Sequence, residues 1–210
     1  SPDGKWFTLE FIGNKHDPYS DIGIVSAQGG EITNLTNSGY TSGYPAWTMD
    51  GNAILFTSER YGMRNHASWG SMEDVFLCFV NQDAYDKYRL SKEDYELLKE
   101  VEKEQEKLKK NADKKDAKKD DDKKDDKKDA VKDIVMELDG IQDRIVRLTP
   151  NSSSLGSAII DKKGETLYYT ASFEKGMDLW KLDLRKKEVK LATKNVGYAN
   201  FEMSKDGKNI

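Results

Sequence analysis

Ser1-Pro2-Asp3-Gly4-Lys5 runs into the apolar stretch Trp6-Phe7-Thr8-Leu9-Glu10-Phe11-Ile12, and the same phrase returns along the chain. Met49-Asp50-Gly51-Asn52 precedes Ala53-Ile54-Leu55-Phe56-Thr57-Ser58, and Asp161-Lys162-Lys163-Gly164-Glu165 precedes Thr166-Leu167-Tyr168-Tyr169-Thr170. Ser204-Lys205-Asp206-Gly207-Lys208 begins it once more. Asp or Lys ahead of Gly, followed by a β-rich run, is the chemistry of a tight hairpin. Asp bonds its own backbone there, and Gly takes a positive φ without a Cβ clash. Recurrence of the turn in register points to a repeat architecture.

The glycine positions give the period. Gly4 to Gly51 is 47 residues, Gly164 to Gly207 is 43, and Gly51 to Gly164 is 113, or one unit plus an insertion of about 68. A repeat in the forties suits a four-stranded blade. After each hairpin strand an acidic residue heads a second apolar strand: Asp21-Ile22-Gly23-Ile24-Val25, Asp74-Val75-Phe76-Leu77-Cys78-Phe79 and Asp178-Leu179-Trp180-Lys181-Leu182. A last strand then closes on Thr, at Thr36, Thr149 and Thr193. The first strand of a unit is visible as Tyr44-Pro45-Ala46-Trp47-Thr48 and Ser157-Ala158-Ile159-Ile160. Several strands are nearly continuous apolar runs, as expected where neighbouring sheets cover both faces. A β-sandwich also has short strands, but gives no reason for the turn to recur in register.

The sequence therefore predicts an all-β protein, a β-propeller of four-stranded antiparallel blades, of which about three are visible as a partial ring. The units are 1–36, 37–150, 151–193 and the start of another at 194–210. Because the turn phrase stands at both ends, a segment of a longer protein is expected.

Inside the second unit, 82–137 is read as an insertion. Ser91, with Asp94 three residues on, is a variant capping box and opens a helix expected over 91–108. Tyr95, Leu98 and Val101 share one face of that helix, which should pack on the outer edge of the blade. The window 109–133 holds eleven Lys and nine Asp, a mixed polyampholyte with no apolar area to bury, and is read as a disordered linker. Its alternating charge excludes a polybasic membrane patch, and its lack of aromatics excludes base stacking. Its Asp runs lack the Gly and Glu spacing of a calcium loop.

A net charge of −4 argues against nucleic-acid binding, and no apolar run is long enough to insert in a membrane. Cys78 is a single cysteine within an apolar strand, read as a small buried hydrophobe. His16 and His66 form no metal-ligand pattern, and no nucleophile elbow, phosphate loop or dinucleotide fingerprint occurs, so no catalytic residue, metal site or cofactor is assigned. His16 beside Asp17 is not a catalytic pair, since adjacent residues rarely share a side-chain geometry. One loop is unusual: 59–71 combines Arg60, Tyr61, Arg64, His66 and Trp69. Such a set suits recognition of a peptide or carboxylate by bidentate arginine and amphipathic aromatics. The plainer reading, which we prefer from sequence, is a long loop with Tyr61 and Trp69 packed beneath it and the arginines in water. The loop 14–20 holds the equivalent place in the first unit.

Repeats of S-P-D-G-K, an apolar strand, D-[IL]-x-[IV] and a closing L-T resemble the propeller repeats of TolB and tricorn-type proteases. The segments 34–38, 56–64 and 143–150 look most like the tricorn-like serine peptidases of bacteria. The resemblance implies a non-catalytic propeller that guides or docks peptides or unfolded protein for a PDZ domain and peptidase core elsewhere in the polypeptide, in the periplasm. Nothing in the chain matches that core, so no catalytic residue carries over. The alternative is a TolB-like interaction scaffold with no associated enzyme. A hydrolase working in the propeller funnel is the weakest option, for want of clustered acid, base or metal ligands. Deleting 109–133 is expected to leave the melting temperature nearly unchanged, since no core contact is lost; a large drop in a thermal melt would show that the linker is folded.

Overall fold

The computed structural model describes residues 1–13, 17–64, 71–116, 133–173, 175–204 and 209–210. Three antiparallel sheets follow one another along the chain. The first holds β1 (Trp6–Phe11), β2 (Asp21–Ser26) and the short β3 (Thr33–Asn34). The second holds β4 (Ser42–Thr48), β5 (Ala53–Ser58), β6 (Asp74–Phe79) and β7 (Ile145–Arg147). The third holds β8 (Ser154–Ile160), β9 (Thr166–Ser172), β10 (Asp178–Asp183) and β11 (Glu188–Thr193), and in each sheet the strands pair in chain order. The expected all-β blades are therefore present.

Every residue of β5 and β6 is buried, and the alternation of side chains explains why the sequence reads as continuous apolar runs. Leu55, Val75, Leu77 and Phe79 pack with Leu167, Tyr169 and Leu182 of the third sheet. Ile54, Phe56, Phe76 and Cys78 pack with Ile22, Ile24 and Leu35 of the first. Cys78 is a buried hydrophobe, its thiol pushed up to about 12 by burial. The hairpin glycines Gly4, Gly51 and Gly164 all have positive φ, between 69° and 87°. At Gly51 and Gly164 a Cβ would also run into Ile134 and Met49, so the turns are packed as well as bent.

The acid that heads the third strand and the Thr that ends the fourth form a latch. In the first sheet Thr36 donates its hydroxyl to Asp21 at 2.7 Å and accepts from the Ile22 N–H at 3.1 Å. In the second Thr149 donates to Asp74 at 2.7 Å and accepts from the Val75 N–H at 3.2 Å. Asp74 also accepts from Arg147 and from the Ser152 hydroxyl, so this fully buried carboxylate is satisfied on both oxygens. The third sheet departs from the pattern. A bulge in the β10–β11 pairing sets Thr193 opposite Leu179 and Leu191 opposite Trp180, so Thr193 falls one place short of Asp178. Asp178 accepts instead from the Asn195 N–H at 2.8 Å.

Between β6 and β7 the chain forms two helices. Sequence reading foresaw one, over 91–108; the structure shows α1 (Gln82–Arg89) and α2 (Lys92–Asp116). Asn81 caps α1 by accepting from the Ala84 N–H, and Tyr85 and Tyr88 lie 5.7 and 5.0 Å from the Phe79 ring. Ser91 makes the foreseen cap on α2, accepting from the Asp94 N–H and donating to its carboxylate. Tyr95 is buried and Leu98 half-buried, whereas Val101 is exposed. The helices also reach the third sheet. Arg185, in the β10–β11 turn, donates to the carbonyls of Lys87, Tyr88 and Leu90, taking up the free C-terminal acceptors of α1. Its guanidinium lies 3.7 Å from the centre of the Tyr95 ring, and Lys99 pairs with Glu165 nearby. Residues 109–116 of the expected linker continue α2, and 117–132 lie outside the described residues. Arg144, also buried, donates to the carbonyls of Phe79, Asp139 and Glu137 and so ties the returning chain to the end of β6.

Glu73, just ahead of β6, is half-buried. Burial raises its carboxyl above the usual glutamate range; the Thr57 hydroxyl opposes that, and the charges of Glu59 and Glu10 add to it.

Two predictions follow from this polar framework. Asp74→Ala should cost about 3 kcal/mol in urea denaturation, because it strands the buried partners of the carboxylate. Asp178→Ala should cost about 1 kcal/mol or less, since one hydrogen bond is lost at a more open position; equal losses would show that the latch is not what separates the two sheets. The raised pKa means that folding disfavours the charged form of Glu73, so its effect is destabilising above the folded-state pKa and vanishes below the unfolded value near 4.3. Glu73→Gln should therefore raise stability at pH 7, with the gain shrinking as the pH falls to about 4. A gain that grew in acid would reverse this assignment.

Candidate functional site

The loops leading into β6 and β10 occupy equivalent places, and each borders a niche between its own sheet and the one before. Strand register sets the correspondence: Phe56 pairs with Phe76 as Tyr169 pairs with Trp180, and Arg147 stands opposite Phe76 as Leu191 stands opposite Trp180. The two niches thus use the same positions with different residues.

In the second sheet the niche is filled. The Phe56 and Phe76 rings stack at 5.4 Å, and Tyr61 stacks on Phe76 at 6.0 Å. Arg60 and Arg147 lie over Tyr61 at 5.6 and 5.3 Å, leaving a void of about 10 Å³ beside Ser42 and Ser58. Of the five residues singled out in the sequence, Arg60 and Tyr61 are thus brought together. Arg64 lies apart, over the Tyr40 ring at 4.6 Å. His66 and Trp69 lie outside the described residues. Tyr61 is 57 % exposed, so it covers the niche from outside rather than packing beneath its loop. Arg147, which closes the cluster, was not singled out; its signal was its place opposite an aromatic strand residue, which only the register reveals.

In the third sheet the corresponding niche is an open cleft of about 680 Å³. Its floor is aromatic: Tyr169 pairs with Trp180, and Phe173 meets Trp180 edge-on at 5.3 Å. Val189 and Leu191 of β11 form one wall, with Pro150 and Asn151 opposite. Lys175 and Lys194 stand at the rim, and neither makes an ion pair among the described residues. The Trp180 indole N–H is buried and has no hydrogen-bond partner among the described residues. Burial pushes the Tyr169 hydroxyl up to about 12, so it remains a neutral phenol. Sequence reading placed Trp180 within a short apolar strand and gave no sign of the cleft.

Among the described residues no cluster of metal-ligating side chains occurs, and no helix is long and apolar enough to cross a membrane. The chemistry on offer is hydrogen bonding, aromatic contact and positive charge, which suits binding.

No protein-family model matches the chain. Over 57 residues, 27 % of its length, it is 40 % identical to the uncharacterized peptidase YuxL of Bacillus subtilis (strain 168), of which the match spans 8 %. Among solved structures, a putative TolB from Agrobacterium tumefaciens aligns over 99 % of the chain and 53 % of its own, at 15 % identity and a TM-score of 0.53. TolB from Acinetobacter baumannii aligns over 99 % of the chain and 35 % of its own, at 13 % identity and a TM-score of 0.50. The tricorn protease aligns over 97 % of the chain and 18 % of its own, at 10 % identity and a TM-score of 0.54. The chain thus spans only part of each protein it resembles. At these identities the structural likeness speaks for the fold, and that fold is a run of TolB-like β-propeller blades.

Proposed function

We propose that this chain is a non-catalytic propeller module of a tricorn-like serine peptidase, docking and guiding peptide or unfolded-protein substrates toward a peptidase core elsewhere in the same polypeptide. The observation that carries the proposal is the 57-residue match to a peptidase on a chain whose blades align with those of the tricorn protease. The niches between the sheets support it, since they offer aromatic surface and cationic side chains of the kind that hold peptides. The resemblance noted in the sequence adds a PDZ domain as a neighbour and a periplasmic location. The second reading is a TolB-like interaction scaffold without an enzyme, favoured by the TolB alignments.

The full reading frame separates the two. With a peptidase core present, the intact polypeptide should cleave a fluorogenic unfolded substrate, while residues 1–210 alone show no turnover. Removing the blades should lower kcat/KM for long substrates more than for short peptides. A reading frame without a peptidase core supports the scaffold instead. Turnover by residues 1–210, abolished by substituting His66, would overturn the non-catalytic assignment.

A further inference from the structure

We infer that the cleft of the third sheet is a specific peptide site, taking a bulky apolar side chain next to a carboxylate. The inference rests on the peptide-docking reading above and names the ligand chemistry of one place in it. Three observations carry it. First, the cleft is large enough for a ligand: about 680 Å³, against about 10 Å³ at the same position of the second sheet. Ligand sites fall in the range of roughly 300–1,000 Å³.

Second, the difference between the two niches has an identifiable cause. Where the second sheet places Arg147, linked to Asp74 and lying over Tyr61, the third places Leu191. The bulge beside it displaces Thr193 from Asp178, so β11 lacks the side-chain latch that closes the fourth strands of the other two sheets. Phe173 and Trp180 of the aromatic floor stay partly exposed, although burying such surface is worth about 25 cal/mol per Å².

Third, the polar groups define the ligand. The rim carries Lys175 and Lys194 against Asp178, one of whose oxygens is engaged by the Asn195 N–H, so the balance is cationic. An apolar side chain on the aromatic floor and a carboxylate between the lysines would match these features. The carboxylate can come from an acidic side chain or from a chain terminus.

Fluorescein-labelled hexapeptides distinguish these sources: one with an internal Phe-Glu and an amidated end, its Phe-Gln counterpart, one ending in Phe with a free carboxylate, and the same peptide amidated. Fluorescence anisotropy with the protein should show binding of at least one carboxylate-bearing peptide, with its neutral counterpart about tenfold weaker. The preferred member of the two pairs identifies the source. Lys175→Glu with Lys194→Glu should weaken binding by more than about tenfold. Leu191→Arg, which restores the residue of the second sheet, should do the same by filling the cleft. Trp180→Phe, which shrinks the aromatic floor, should weaken it by a smaller factor, and unchanged circular dichroism and melting temperature would show that each variant folds. Equal binding of neutral and charged peptides, no binding of any peptide, or indifference to Leu191→Arg would each overturn the inference. Binding is read on the protein without any peptidase activity, so absence of a peptidase core would sink the proposed function and leave this result standing.

Discussion

A sheet whose two inner strands are apolar on both faces has to be covered twice, and most of this structure follows from that requirement. β5 and β6 present one apolar row to the first sheet and another to the third, so the second sheet is stable only as the middle layer of a stack. The hairpin turns serve the same end. They reverse the chain within a few residues, so that each repeat stays a flat blade thin enough to be covered by its neighbours.

The polar framework is fitted to the edges of that stack. The Asp–Thr latch takes a buried carboxylate and a hydroxyl, each costly alone, and makes them partners where the third and fourth strands begin and end. Where the latch is complete the outer strand holds a straight register. Where the bulge breaks it, the outer strand shifts register, and Trp180 and Phe173 beside it stay partly exposed. One extra residue in β11 separates a filled niche from an open one, which is how repeats of one design come to hold different surfaces.

Much of this was legible in the sequence because it depends on local chemistry. Gly4, Gly51 and Gly164 announced their turns, and Asp21, Asp74 and Asp178 with Thr36, Thr149 and Thr193 marked the strand ends, although as a pattern without a stated cause. The bulge was not legible: Val189-Lys190-Leu191-Ala192-Thr193 reads like the other closing strands, and only the pairing with β10 shows the added residue. α1 was missed because its apolar contribution is two tyrosines, Tyr85 and Tyr88, among polar residues, and their purpose depends on Phe79 being nearby in space. Arg185 looked like any polar turn residue, since nothing local reveals that the free carbonyls of α1 lie above it. The site residues were the least legible part. Arg60 and Tyr61 were found by composition, but Arg147, Trp180 and Leu191 owe their roles to register across strands far apart in the chain.

That guanidinium has a consequence for how the repeats come apart. Blades in a row ordinarily behave as semi-independent segments, each coupled to the next through its face. Here the helical insertion of one blade has its C-terminal carbonyls occupied by an arginine from the blade after it, so the helix cannot peel away without freeing its own acceptors and the Arg185 donor. The second and third blades therefore form a single cooperative block in local opening, with amide exchange in α1 following that of the β10–β11 turn. The first blade has no such helix and is tied to the second by its apolar face, by the Ser42 N–H on the Ser20 carbonyl and by the Ile134 N–H on Asp3.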